Sequence, residues 1–200
     1  MTTGLRERKR LATKHSIQEK ALDLFDERGF AAVTIEEIAE AAEVSPSSVY
    51  RYFGTKEQLI VADDFADLSQ EALDHILDPH DPLGTARRIV ADYESTPAGV
   101  NAAEGAGKSP WRRVHYFFQE PTVRLAVYAS LDEASSRIAA SLLSRQGMSE
   151  AKARVAAHAF VFGYFAALEQ WHVDGGKRPI VDYVDDGMAV LREIWTNPDR

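Results

Sequence analysis

The chain has 200 residues, of which 45% are hydrophobic and 27% charged, with a net charge of −8 and no cysteine. That length is ample for a core in one large domain or two small ones. The missing thiols exclude disulfides, thiolate metal sites and cysteine nucleophiles, and they allow a reducing, cytoplasmic setting.

Taken in chain order, residues 1–7 are expected to be a disordered arm. A first helix follows over 8–28, with Leu11, Ile17, Ala21, Leu24 and Phe25 on its apolar side and Gly29 as its C-terminal stop. The basic start is not followed by an apolar stretch, so no signal peptide is expected. Residues 1–20 carry six basic and two acidic side chains, whereas residues 61–200 carry 14 basic and 21 acidic. A basic end on an acidic body fits nucleic acid held at one end, with the body repelling non-specific contact.

The densest local signals lie between Thr34 and Phe53. Thr34 and Glu37 have the spacing of a capping box, and Ile35, Ile38, Ala39 and Ala42 share one face of the short helix they start. That helix breaks at Glu43-Val44. Ser45 then caps a second helix, with Pro46 at its first position. Val49, Tyr52 and Phe53 recur at i, i+3, i+4, which leaves Ser47, Ser48, Tyr50 and Arg51 facing outward. Two short helices joined by a tight turn read as a helix-turn-helix.

After Gly54-Thr55 a fourth helix is expected over 56–77, with Leu59, Ile60, Leu68, Leu73 and Ile76 turned inward. Asp78-Pro79-His80-Asp81-Pro82 ends it. Helices follow over 83–94, 111–118 and 122–145, the last burying Leu125, Tyr128, Leu131, Ile138 and Leu142; residues 95–110 carry no clear period. The stretch 155–168 is apolar all round, with His158 as its sole ionisable side chain. It is too short to span a bilayer and is expected to be buried on every side. An amphipathic helix over 180–195 presents Ile180, Val184, Met188, Leu191 and Trp195. No alternating strand pattern occurs, so the fold class is all-α, with about nine helices.

Arg8-Lys9-Arg10 ahead of a helix, ALDLFDERGF from Ala21 to Phe30, VTIEEIA from Val33 to Ala39, Val44-Ser45, and YRYFGTKE from Tyr50 to Glu57 together resemble the N-terminal signature of the TetR (tetracycline-repressor-like) family over residues 8–60. The resemblance implies a helix-turn-helix DNA-binding domain over 1–55 and a ligand-binding and dimerisation domain over 56–200. It implies a homodimeric regulator, commonly a repressor, that binds a palindromic operator and is released by a small molecule. Glu43 departs from the pattern, since the family usually has Gly there. That turn position tends to need φ > 0, which costs a non-glycine residue roughly 1 kcal/mol.

Chemistry divides the expected DNA contacts. Ser47, Ser48 and Tyr50, with Ser45 at the cap, lie where side chains reach base edges, and Pro46 can touch a thymine methyl. The resemblance assigns Arg51, Tyr52 and Lys56 to phosphate; Tyr52 reads equally well as core packing with Phe53. Thr34, at a helix N-terminus, suits phosphate too. The resemblance places the last two helices of each subunit in a four-helix dimer interface, here Ala159, Gly163, Ala167, Met188, Leu191 and Trp195. It also implies a small apolar or aromatic effector, for which Trp111, His115, Phe118, Tyr128, His158, Phe162 and Phe165 are candidate walls. No cofactor or metal is expected. The nearest enzyme-like set, His75, Asp78, His80 and Asp81, has a proline-broken spacing that matches no metal site. Gly105-Ala106-Gly107-Lys108-Ser109 lacks the first glycine and the preceding strand of a phosphate loop.

Overall fold

A computed structural model describes residues 4–62, 67–78, 80–95 and 112–196, and among the described residues there are ten helices and no strand. Helix α1 spans Leu5–Arg28. It begins three residues before the expected start, so Leu5 to Glu7 form its first turn and not part of a disordered arm. No breaker stands between Gly4 and Arg8, and arginine, lysine and leucine are all good helix formers. Ile17, Ala21, Leu22 and Phe25 are buried, while Leu11 and Leu24 are half-buried. Gly29 stops the helix at φ 84°, its N–H donating to the Phe25 carbonyl at 2.8 Å.

Helices α2 (Ile35–Ala41) and α3 (Pro46–Phe53) follow, with both caps formed as the sequence predicts. Their inner faces (Ile35, Ile38, Ala39, Val49 and Phe53) close over Phe25, whose ring lies 5.1 Å from that of Phe30. In the turn between them Glu43 has φ 54°, the one positive φ outside glycine among the described residues. The Val44 N–H reaches back to the Ala39 carbonyl at 2.9 Å, and this bond holds the turn tight. The left-handed residue is therefore a standing strain in the turn between α2 and α3. Glu43→Gly is expected to raise unfolding stability by up to about 1 kcal/mol, the relief being partly offset by the greater chain entropy of glycine. Urea unfolding measures it, and a lower midpoint for the variant would contradict it.

The expected helix over 56–77 is two helices, α4 (Gln58–Val61) and α5 (Gln70–Ile76). The first ends where Ala62 turns extended at ψ 129°. Its carbonyl is taken by two distant donors, Gln18 Nε2 at 2.8 Å and Arg113 Nη1 at 3.1 Å. Tertiary donors have replaced the next helical bond, and Ser69 caps a fresh helix by accepting from the Ala72 N–H. Ile76, expected inside, is exposed, and Leu77 is buried in its place. Helix α5 buries none of its own residues. Polar bonds to helix α8 (Pro121–Gln146) fasten this region: Gln70 donates to Ser141, Ser141 to Asp74, and Arg137 and Arg145 to the carbonyls of Leu68 and Leu77.

Helices α6 (Pro82–Ser95), α7 (Arg112–Gln119), α9 (Glu150–Val173) and α10 (Ile180–Thr196) complete the body. Helix α9 packs between α8 and α10, α7 lies against α8 and α9, and α6 lies against α10. The aperiodic segment 95–110 falls almost wholly outside the described residues, and so do the glycine-rich Gly105 to Ser109 and Trp111.

Two buried faces differ from expectation. On α8, Leu125 is 72% exposed and Tyr128 is exposed, while Val123, Val127 and Leu142 are buried and Leu131 and Ile138 half-buried. The covered line also takes in Ser135 and Ser141, and Ser135 satisfies its hydroxyl on the Leu131 carbonyl at 2.8 Å. A hydroxyl bonded within its own helix needs no water, so the inward face need not be the most apolar one.

On α9, burial on every side does not hold. Phe160, Val161, Phe165 and Leu168 are buried, but Val155 is 70% exposed, and Phe162 and Ala166 also face outward. The small residues serve contact with α10 inside one chain. A methyl group built on Gly163 would lie 3.3 Å from Leu191 Cδ1, and one on Gly187 would lie 3.5 Å from Ala167 Cβ. Ala167 and Met188, expected at a dimer interface, are thus buried within the chain; Gly163 and Leu191 face each other, and Ala159 is half-buried. The Trp195 side chain lies outside the described residues.

Candidate nucleic-acid interface

Helix α3 is anchored from behind by Val49 and Phe53 and offers its other face to solvent. Ser47 and Arg51 are exposed, and Tyr50 is 52% exposed, a large apolar ring projecting from a polar face. At its N-terminus three serines share one cluster. Ser45 Oγ accepts from the Ser48 N–H at 3.2 Å and lies 2.9 Å from the hydroxyls of both Ser47 and Ser48. Arg51 Nη2 donates to Ser48 Oγ at 3.4 Å, and its guanidinium sits 5.4 Å from the ring centre of half-buried Tyr52. Tyr52 also lies 6.5 Å from Phe53, so it serves both as a support for Arg51 and as an edge of the core.

The frame around α3 is held by charge. Glu37 Oε2 accepts from the Thr34 N–H at 2.8 Å and from its hydroxyl at 3.0 Å, while Glu37 Oε1 takes Arg28 Nη2 at 2.7 Å. The Thr34 backbone bond, then Arg28 and the Thr34 hydroxyl, bring the Glu37 carboxyl down to a pKa of about 2. The carboxyl is therefore ionised at neutral pH, and the contacts that join the end of α1 to the start of α2 do not depend on a proton there. Thr34 keeps an exposed position at the α2 N-terminus, with its hydroxyl committed to this box.

Lys56 departs from the picture of a solvated phosphate ligand at the head of a helix. Helix α4 begins two residues later, and the Lys56 ammonium lies 4.4 Å from the Phe30 ring centre and 5.7 Å from that of Phe25. Burial lowers its pKa from the ordinary lysine value. The side chain is half-buried over the aromatic pair, so its charge is aimed by packing more than by solvent.

The candidate effector walls form a connected aromatic row. Phe162 stacks on His158 at 6.2 Å and on Tyr128 at 6.4 Å; Tyr128 meets Phe165 at 5.8 Å, and Phe165 meets Phe118 at 5.1 Å. His115 joins from α7, its Nδ1 2.9 Å from that of His172. Phe165 is buried, Phe118 and His115 are half-buried, and Tyr128 and Phe162 reach the surface. His158, expected as a polar group inside an apolar helix, instead sits at the edge. Its Nδ1 meets the Arg154 carbonyl at 2.9 Å and its Nε2 meets Asp132 at 3.4 Å. These rings pack on one another. A cleft of about 170 Å³ between α8 and α9 lies apart from them, lined by Ser136, Leu143, Ala153 and Arg154 among others.

One set of residues escaped the sequence reading. Arg112 on α7 reaches Glu19, Asp23 and Asp26 of α1, and Tyr116 donates to Asp26 at 2.7 Å. The acidic i, i+4, i+7 stripe on α1 was the available signal, but nothing local says which cation meets it.

Among the described residues there is no group of three or more metal-ligating side chains, and no helix is long and apolar enough to cross a membrane. His75, Asp78, His80 and Asp81 are exposed, and Asp78 and Asp81 cap local backbone N–H groups at 2.9 and 2.8 Å.

Residues 17–62 match the profile described as "Bacterial regulatory proteins, tetR family". The chain is 43% identical over 56 residues to the HTH-type transcriptional regulator TcmR of Streptomyces glaucescens, covering 28% of this chain and 25% of that protein. It is 44% identical over 61 residues to the HTH-type transcriptional regulator RutR of Escherichia coli strain K12, covering 30% of this chain and 29% of RutR. The similarity thus spans between a quarter and a third of these relatives' length. The whole fold is similar to that of Thermus thermophilus FadR, a TetR-family transcriptional repressor solved with lauroyl-CoA, with TM-score 0.51, 21% identity and coverage of 90% of this chain and 93% of that one. It is likewise similar to NalD of Pseudomonas aeruginosa, secondary repressor of the MexAB-OprM multidrug efflux pump, with TM-score 0.51, 20% identity and coverage of 90% and 95%. Residues 17–62 thus match the tetR-family profile, and the fold over nine-tenths of the chain is similar to that of these two solved repressors.

Proposed function

We propose that the protein is a transcriptional regulator, working as a repressor in the cytoplasm, that binds a palindromic operator as a homodimer and is released by a small molecule. The observation that carries this reading is α3: a short helix clamped by Val49 and Phe53, with Ser47, Tyr50 and Arg51 all turned to solvent. A face of hydroxyls, a phenol and a guanidinium suits base edges and phosphates, and Ser47, Tyr50 and Arg51 stay exposed among the described residues. Residues 1–55 form the reading domain in this proposal and 56–200 the effector and dimer domain. Ser47, Ser48 and Tyr50 read bases, with Ser45 and Pro46 beside them. Arg51, Tyr52 and Lys56 hold phosphate, and Thr34, expected to join them, does so only by releasing its bonds to Glu37. The connected aromatic row supports an apolar or aromatic effector, and the chemistry proposed is binding, not catalysis.

Selection of duplexes from a random pool tests the reading, and enrichment of a two-fold-symmetric sequence is the expected result. On that duplex Tyr50→Ala should lose on the order of 1–3 kcal/mol while scrambled DNA is bound as before. Arg51→Ala should weaken both and flatten the salt dependence by about one unit of slope per subunit. A pool that enriches no sequence would refute the proposal.

A further inference from the structure

Helix α7 faces two ways. Toward the reading head, Arg112 Nη1 donates to Asp23 at 2.6 Å and to Asp26 at 3.2 Å, and Nη2 donates to the Glu19 carboxylate at 2.8 Å and the Glu19 carbonyl at 3.1 Å. The Arg112 side chain is only 10% exposed. One residue on, Arg113 donates to the Ala62 carbonyl where α4 ends, and Tyr116 closes the row with its hydroxyl on Asp26 and its ring 6.0 Å from Phe25. Away from the head, His115 touches His172 and lies 5.5 Å from Trp171, and Phe118 lies on Phe165 and His172.

We propose that Arg112 and Tyr116 are positioning residues that fix the angle of the reading head on the body and so determine which half-site separation the dimer accepts. The proposal rests on the operator-binding homodimer above. The covalent route from head to body leaves helical geometry at Ala62, so no continuous helix sets the angle. Apolar packing between head and body tolerates sliding, because it has no preferred direction. A guanidinium fork spread over three carboxylates on successive turns of one helix does not, because each bond fails within a small rotation. Their i, i+4, i+7 spacing puts Glu19, Asp23 and Asp26 on one face of α1, and without Arg112 they lose a shared cation while like charges along a helix repel. The contact therefore converts a sliding joint into an indexed one. Because the same helix carries His115 and Phe118 into the aromatic row, a shift of that row reaches the head through these bonds.

The test uses the full chain and the duplex that wild-type protein enriches from a random pool, remade with one base pair added or removed between half-sites. Each change moves a half-site by about 3.4 Å and about a tenth of a turn. Wild type should bind the altered duplexes roughly tenfold more weakly than the original. Arg112→Ala should bind the three spacings nearly alike, while its affinity for a duplex with one half-site equals that of wild type. Arg112→Lys keeps the charge without the fork and should restore little of the preference. Tyr116→Phe removes one hydroxyl and keeps the ring, so it remains informative if Arg112→Ala does not fold; partial loss of the spacing preference is expected. A folded Arg112→Ala, or failing that Tyr116→Phe, with the wild-type spacing profile overturns the proposal. Wild type enriching no symmetric site overturns the operator reading itself, a separate outcome.

Discussion

Val155→Glu combined with Phe162→Glu should turn the protein into a folded monomer. The two residues lie seven apart on α9, so their side chains share one outward line, and Ala166 extends it. Val190 of α10, 69% exposed, adds a further apolar surface on the neighbouring helix. An apolar line of this length on the last two helices is what a partner would cover, and it differs from the small-residue face expected from the sequence. Sedimentation at micromolar concentration should show dimer for wild type and monomer for the variant, with similar helical content by circular dichroism. Operator affinity should fall by roughly 10²–10⁴, because the second half-site is no longer engaged intramolecularly. Ala167→Glu makes the contrast, since it forces a carboxylate between α9 and α10 beneath Gly187 and should unfold the body instead. A doubly substituted protein that still sediments as a dimer would move the interface elsewhere.

Phe25→Ala should cost about 3–5 kcal/mol, the usual range for emptying a fully buried aromatic site. Phe25 is 1% exposed and touches three regions at once: Phe30 in the turn after α1, Tyr116 on α7, and the Lys56 ammonium above. Its loss opens the reading head and loosens the seat of α7 together. Thermal unfolding should drop by roughly 2–4 °C for each kcal/mol in a chain of this size. Phe25→Leu, which refills most of the volume, should cost far less. Equal melting of Phe25→Ala and wild type would mean that the ring is not the keystone of this core.

How far the sequence could be read depended on the range of the forces that shape each part. The caps of α2 and α3 and the stop at Gly29 are set within four or five residues, and the chain displays them openly; the positive φ at Glu43 was legible only through the resemblance, which has glycine there. The end of α4 is set by Gln18 and Arg113, 44 and 51 residues away, so a continuous helix over 56–77 was the natural expectation. On α8 and α9 the error had another source. A long helix flanked by two neighbours is covered along two lines, and hydrophobicity alone does not say which lines those are. Ser135 and Ser141 went inside while Leu125 stayed out. Gly163 and Ala167 were correctly read as sites of close helix approach, and within the chain the approaching helix is α10. On α3 the outward turn of Ser47, Tyr50 and Arg51 was legible because their neighbours are local, while Ser48 is half-buried in its serine cluster. The Arg112 contact, spanning 86 to 93 residues, was not.

The serine cluster at the start of α3 bears on how such a surface discriminates. Ser45, Ser47 and Ser48 already bond to one another, so each hydroxyl that turns to a base edge gives up one hydrogen bond to gain another. On a matching sequence the exchange is close to even, since a hydrogen bond lost and a hydrogen bond made differ little in net free energy. On a mismatched one a hydroxyl leaves its cluster and finds no acceptor while water is excluded, and the desolvation penalty of an orphaned group falls on the wrong complex alone. If the proposed operator complex forms, a reader built this way selects by veto: the correct operator is simply the sequence to which it raises no objection, and tight binding then comes from the phosphates and from the second subunit of the proposed dimer.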